Sequence, residues 1–264
     1  MKRLKEIWEY REMIISLVQR ELRGRYKGSA LGFLWTFINP LLQLLVYTLV
    51  FSVIMRSGIE KYYIFLFVAL VPWLFLNSAL IGGANCVTLS KDMVKKIYFP
   101  RDVLPIAFTT ASFVNMLLTF LVVFAVLLVT GYGLNPVALL YLIPLMAVEY
   151  LLVLGITFLT SALSVYFIDL RYIFTILAMA WQFLTPVMYS QDMVEGALKN
   201  HPNLMTIWNL NPATPMINAY RQILYYKQVP DLTTLTSALV LGIIVFLIGW
   251  FTFGRMQRGF AEEF

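Results

Sequence analysis

The 264-residue chain is 60% hydrophobic and only 13% charged, and its Lys and Arg outnumber its Asp and Glu to give a net charge of +6. A soluble domain is about half apolar and about a quarter charged, so a water-soluble enzyme is excluded, and the positive balance reports membrane topology rather than a nucleic-acid partner. One cysteine, Cys86, rules out an intrachain disulfide, and one histidine, His201, rules out a multi-histidine metal site.

Residues 1–30 are polar and come first. MKRLKEIWEYREMIISLVQRELRGRYKG spaces Leu4, Ile7, Trp8, Ile14, Ile15, Leu17 and Val18 among charges of both signs. That pattern predicts an amphipathic interface helix lying along the membrane surface, stopping near Gly24 or Gly28. The apolar run that follows begins too late and runs too long to read as a cleaved signal peptide. Six transmembrane helices are predicted: Phe33–Met55, Ile64–Val87, Ile106–Val129, Val137–Phe167, Ile173–Tyr189 and Leu235–Phe253. The fourth holds Pro144 and is expected to kink or tilt; the fifth is short. Fifteen of the 20 Lys and Arg fall in the N-terminal segment, the second and fourth loops and the tail. The positive-inside rule then puts both termini in the cytoplasm. The organisation expected is an interface segment, 1–30, and a six-span transmembrane domain, 31–264. No internal repeat is visible, so a path on a symmetry axis needs two copies, a homodimer of twelve spans.

Two segments depart from a plain bundle. KDMVKKIYFPRD, residues 91–102, sits between the second and third spans. On a helix over about 87–100, Leu89, Met93 and Ile97 share a face with Val94 and Tyr98 beside them, while Lys91, Asp92, Lys95 and Lys96 take the other. Pro100 disfavours helix at Phe99 and stops it. This basic helix, parallel to the membrane, suits either anionic lipid or a cytoplasmic protein. The second segment, about 191–232, is too long for a turn. Its helical patches, Met193–Leu198, Leu204–Trp208 and Met216–Tyr226, are too short to span. They fit either re-entrant outer helices or a small cap.

No energy source is visible. The chain lacks G-x-x-x-x-G-K-[ST]; GRYKGS at Gly24–Ser29 has the wrong spacing. Glu149 is the only acid deep in a span, thin support for an ion relay, and no carboxylate pair has catalytic spacing. Neither a catalytic residue nor a metal ligand is assigned. Tyr47, Phe51, Trp181 and Phe183 lie within spans, where aromatic faces could line a conduit for sugars.

The chain over essentially its full length resembles the membrane subunit of type-2 ABC exporters, in the branch that moves O-antigens and teichoic acids. The resemblance is carried by RELRGRYKGSALGFLWTFINPLLQLLVY (20–47), NCVTLSKDMVKKIYFPRDVLP (85–105), VYFIDLRYI (165–173) running into WQFLTPVMYS (181–190), and NLNPATPMINAYR (209–221). It implies a homodimer in the bacterial cytoplasmic (inner) membrane, bound to two cytoplasmic ABC ATPase subunits that hold the ATP and Mg2+; this chain itself would hold no cofactor. Lys91, Asp92, Met93, Val94, Lys95, Lys96, Ile97, Tyr98 and Phe99 would form the coupling helix. The segment after the fifth span would form the outer gate, with Asn211, Pro212, Pro215 and Arg221. The cargo implied is a polyprenyl-diphosphate-linked glycan. Arg20, Arg23, Arg25 and Lys27 would meet its headgroup at the cytoplasmic end of the first span. The contrasting readings are a teichoic-acid or small-molecule exporter of the same fold, an ion-coupled lipid flippase using Glu149, and a membrane-bound transferase.

Overall fold

The computed structural model describes residues 2–25 and 28–263, and every regular element among them is helical. The amphipathic segment forms α1 (Lys2–Glu9) and α2 (Arg11–Gly24), broken at Tyr10 and stopping at Gly24 as expected. A 3-10 turn, Gly32–Leu34, leads into α3 (Trp35–Thr48), which ends in a π-helical stretch, Leu49–Ile54. α4 (Tyr62–Ile81) is apolar all round and buried on almost every face, as a central helix should be. Short 3-10 turns at Gly83–Asn85 and Thr88–Ser90 deliver the chain to α5 (Lys91–Lys96), and α6 (Val103–Val129) runs back through the bundle.

The fourth predicted span is two helices, α7 (Pro136–Leu140) and α8 (Leu142–Tyr166). Asn135 caps α7, its side chain accepting from Val137 N at 3.0 Å, and Pro136 follows at the first helical position. The break comes at Tyr141. Pro144 then lies in the first turn of α8, where a missing N–H deprives no carbonyl of a partner. Next come α9 (Leu170–Leu184), α10 (Gln191–Leu198), α11 (Pro202–Asn209), α12 (Ala213–Leu224), α13 (Leu232–Met256) and α14 (Phe260–Glu263). The three patches predicted between the last two spans are thus three separate helices, α10 to α12.

Five stretches are long and apolar enough to cross a membrane: Gly32–Ile54, Tyr62–Asn85, Val103–Val129, Pro136–Tyr166 and Leu232–Gly259. The chain is an all-helical, multi-pass membrane protein. The remaining predicted span is α9, with 15 residues. At 1.5 Å per residue that is about 22 Å of helix, short of the ~30 Å hydrocarbon layer.

Two cores organise the bundle. The larger surrounds α4, where Leu66, Leu70 and Trp73 pack with Phe120 of α6, Leu152 of α8 and Tyr220 of α12. The smaller forms a base at the α5 end, joining Leu17 of α2, Val94 of α5, Phe99, Phe158 of α8, Phe253 of α13 and Phe260 of α14. α8 and α13 approach each other most closely at glycines. A Cβ on Gly155 would lie 2.5 Å from Phe246 Cα, and Gly249 sits against the Gly155 carbonyl. In membranes such small residues let helix backbones meet. α3 and α9 remain at the periphery: most of α9 is exposed, and α3 buries only Thr36, Pro40 and Leu44.

Candidate functional site

α5 is shorter than its sequence suggests. It ends at Lys96 because Ile97 turns to extended backbone (φ −130°, ψ 136°). Val94 and Phe99 point into the base, whereas Leu89 is 84% and Tyr98 78% exposed, with Ile97 exposed as well. This corrects the expectation that Leu89, Met93 and Ile97 share one face of a helix over about 87–100. A six-residue helix flanked by a 3-10 turn and an extended residue does not keep those three in one stripe. The result is a surface where Leu89, Ile97 and Tyr98 stand beside Lys91, Asp92, Lys95 and Lys96, with Met93 half-buried. Apolar and aromatic groups ringed by charge are the composition of a protein-binding surface.

Behind that surface lies a charged joint. Asp102 is 1% exposed. Both of its carboxylate oxygens accept from Arg3 Nε at 3.1 Å, Oδ1 also pairs with Arg3 Nη2, and Oδ2 accepts from Gln257 Nε2 at 3.2 Å. Arg3 Nη1 donates to Trp250 O at 2.8 Å, and the guanidinium lies 3.7 Å over the Trp250 ring. Gly254 leaves the space: a Cβ there would collide with the Arg3 guanidinium. No local sequence pattern marks this joint, since Arg3 and Asp102 are 99 residues apart.

The predicted basic cluster does not converge. Arg25 turns inward, donating to Ser112 Oγ at 2.7 Å and lying 3.7 Å from Glu21. It lines a cavity of about 180 Å³ between α3, α4 and α6, with Asn39, Ser78 and Asn115. Arg20 reaches Ser90 Oγ at 3.5 Å and lines a separate cavity of about 630 Å³ with Leu17, Cys86 and Phe108. Arg23 is exposed. Lys27 lies outside the described residues.

At the opposite end of the bundle, α12 is held on two sides. Tyr220 Oη donates to Glu149 Oε2 of α8 at 2.5 Å, and both residues are fully buried. The next residue, Arg221, is 2% exposed. Its guanidinium donates to Pro186 O, to Val187 O at 2.6 Å and to Tyr189 O at 3.1 Å, and lies 3.6 Å over the Phe65 ring. Asn211 fastens the start of the helix. Its side chain accepts from Trp181 Nε1 at 2.7 Å and from Ala213 N at 3.0 Å, and donates to Leu184 O and Thr185 Oγ1 at 3.0 Å. Pro212 caps α12 and Pro215 lies in its first turn, so both prolines initiate the helix. Close by, Tyr132 Oη donates to Tyr225 O at 2.9 Å. Burial pushes that hydroxyl up to about 12, so it stays a donor across the physiological range.

The four aromatics expected to share a conduit do not share a face. Trp181 packs edge-on against the buried Trp73 at 5.6 Å, and Phe51 stacks on Tyr62 at 6.3 Å. Tyr47 is half-buried and accepts from Gln182 Nε2 at 3.2 Å, while Phe183 is 58% exposed. Trp181 is held inward by a partner far away in sequence, Phe51 by one at the start of the next helix, α4.

Residues 12–225 match the model of the ABC-2 type transporter family. The chain belongs to this family. It is 35% identical over 263 residues to the O-antigen export system permease protein RfbA of Myxococcus xanthus, covering 98% of each chain. Two Klebsiella pneumoniae proteins of the same name are each 28% identical over 253 residues, covering 95% of this chain and 94% of theirs. The ABC-2 match takes in α2 from Glu12 onward, α5 and all of α12, so the exposed α5 surface and the Asn211–Arg221 fastening both lie inside it. α1 and α13, which hold the other half of the Asp102 joint, lie beyond it.

Proposed function

We propose that this chain is the transmembrane subunit of an ATP-driven exporter that moves a polyprenyl-diphosphate-linked, O-antigen-like glycan across the bacterial cytoplasmic membrane. Two copies form the path, and two copies of a separate ABC ATPase supply the ATP site. Each chain crosses six times, with α9 as the short fifth crossing and both termini in the cytoplasm. The observation that carries the cargo is the likeness, over 98% of the chain, to a protein named as an O-antigen export permease. The exposed Leu89–Tyr98 surface supports ATPase docking at the cytoplasmic side. α10, α11 and α12 serve as the outer gate, with Asn211, Pro212, Pro215 and Arg221 fixing α12. Arg25, turned into the cavity between α3, α4 and α6, and Arg20, beside the next cavity, are the members of the basic group suited to a headgroup.

The test is purification of the tagged chain from its native host. A stoichiometric subunit carrying a phosphate-binding loop is expected with the wild type, and its loss when Lys91, Lys95 and Lys96 are all changed to Glu. An ATPase that stays bound to this variant would sink the docking assignment. For the cargo, hydrolysis by the assembled transporter should rise with a polyprenyl-diphosphate-linked oligosaccharide and not with the free oligosaccharide. Equal response to both would overturn the lipid-linked assignment.

A further inference from the structure

We propose that Arg3 and Asp102 are coupling residues: a strut through which motion of the α5 segment is passed to α1 and α13 together. The inference rests on the reading that an ATPase docks on the α5 surface, and goes beyond it by naming where the motion goes next.

The first observation is connectivity. Asp102 ends the α5 segment and is the residue immediately before α6. Only Ile97 to Arg101 separate it from Lys96, and that link holds Pro100 and the buried Phe99. A fixed proline φ and an anchored aromatic make the link short and stiff. Displacement of α5 therefore arrives at Asp102 rather than being absorbed in a loop.

The second observation is that a single guanidinium joins three elements. Arg3 belongs to α1, pairs with Asp102 at the foot of α6, and donates to Trp250 O on α13 while lying over the Trp250 ring. Gln257, just past the end of α13, holds the second carboxylate oxygen. A planar fork fixes relative orientation as well as distance, which a point charge would not do. α1 has little else to hold it: Leu4 and Trp8 are 62% and 70% exposed.

The third observation concerns what such a pair is good for. Apolar replacement of a buried ion pair is often neutral or stabilising, so stability alone is a weak reason to bury one. A joint that must keep three helices in register while one is pushed has a use for directional bonds. Gly254 is consistent with this, since even one methyl group would displace the Arg3 fork.

The experiment uses the transporter assembled with its ATPase in nanodiscs and reads two quantities: glycan exported per ATP hydrolysed, and the unfolding temperature. Arg3→Ala should retain the ATPase while export per ATP falls about tenfold, a size typical of residues that carry coupling. Arg11→Ala, on the exposed face of α2, should leave the ratio at the wild-type value. If Arg3→Ala lowers the unfolding temperature but leaves the ratio unchanged, the joint is structural and the proposal is overturned. Should Arg3→Ala fail to assemble, Arg3→Gln keeps the aliphatic stem and a donor while removing the charge and the fork; a wild-type ratio there overturns the proposal equally. Failure of the underlying reading shows separately, as an ATPase that remains bound when Lys91, Lys95 and Lys96 are changed to Glu.

Discussion

Glu149 is the residue whose role most separates the competing readings. A lone acid deep in a span is expensive unless it is partnered. Here the partner is the Tyr220 hydroxyl at 2.5 Å, with Tyr220 stacked on Phe120 at 5.5 Å. The pair ties α12 to α8. Tyr220→Phe removes the donor and leaves the Glu149 carboxyl without that bond. The expected cost is about 1–3 kcal/mol, the penalty for a buried polar group left unpaired, seen as a lower unfolding temperature in detergent. Glu149→Gln keeps an acceptor for Tyr220. In an ATP-driven exporter it should sustain export near the wild-type rate with the ATPase present. Abolished export with intact ATP hydrolysis would instead make Glu149 part of an ion relay.

At the scale of elements, the α8–α13 pair is the most tightly specified. Gly155 and Gly249 let the two backbones touch, and a methyl group at either position has nowhere to go. Gly249→Ala should cost about 1–3 kcal/mol, the range for overpacking a filled contact. Thermal unfolding reads it directly, and an unchanged midpoint would mean the helices separate at no cost. This contact illustrates which parts of the fold were legible in the sequence. Hydropathy located α3, α4, α6, α8 and α13, because a span must be long and apolar whatever it packs on. The prolines and apolar patches after Tyr189 located α10, α11 and α12. The orientation of α5 was not legible, because it depends on where the helix stops, and Ile97 leaves helical geometry before Pro100 forces it to. Nor was the Arg3–Asp102 joint: the Lys and Arg count grouped the N-terminal segment with the 91–102 loop, but pairing across 99 positions is set by the tertiary fold that brings Arg3 beside Asp102 and Trp250. The spread of Arg20, Arg23 and Arg25 has the same origin. On a helix, residues three and five apart do not all share a direction, and only Arg25 finds Ser112 across the gap.

For the whole molecule, the periphery is the informative region. α3 presents Asn39 and Gln43, hydrogen-bonded to each other at 3.0 Å, and Tyr47 bonds to Gln182 of α9 at 3.2 Å. Polar groups at membrane depth belong against protein or a water-filled space, not lipid. In a single chain Asn39 is exposed at the mouth of the cavity between α3, α4 and α6, and Leu42 and Leu45 are exposed beside it. A second copy placed against α3 and α9 would cover the apolar part of the face and turn the polar part onto a shared path. That arrangement predicts where two chains touch. With Cys86 changed to Ser, Leu45→Cys should give a disulfide-linked dimer on mild oxidation in native membranes. Val240→Cys is the control: it is also exposed, but lies on α13, which packs against α8. It should stay monomeric. Cross-linking at 240 with none at 45 would move the interface to α13.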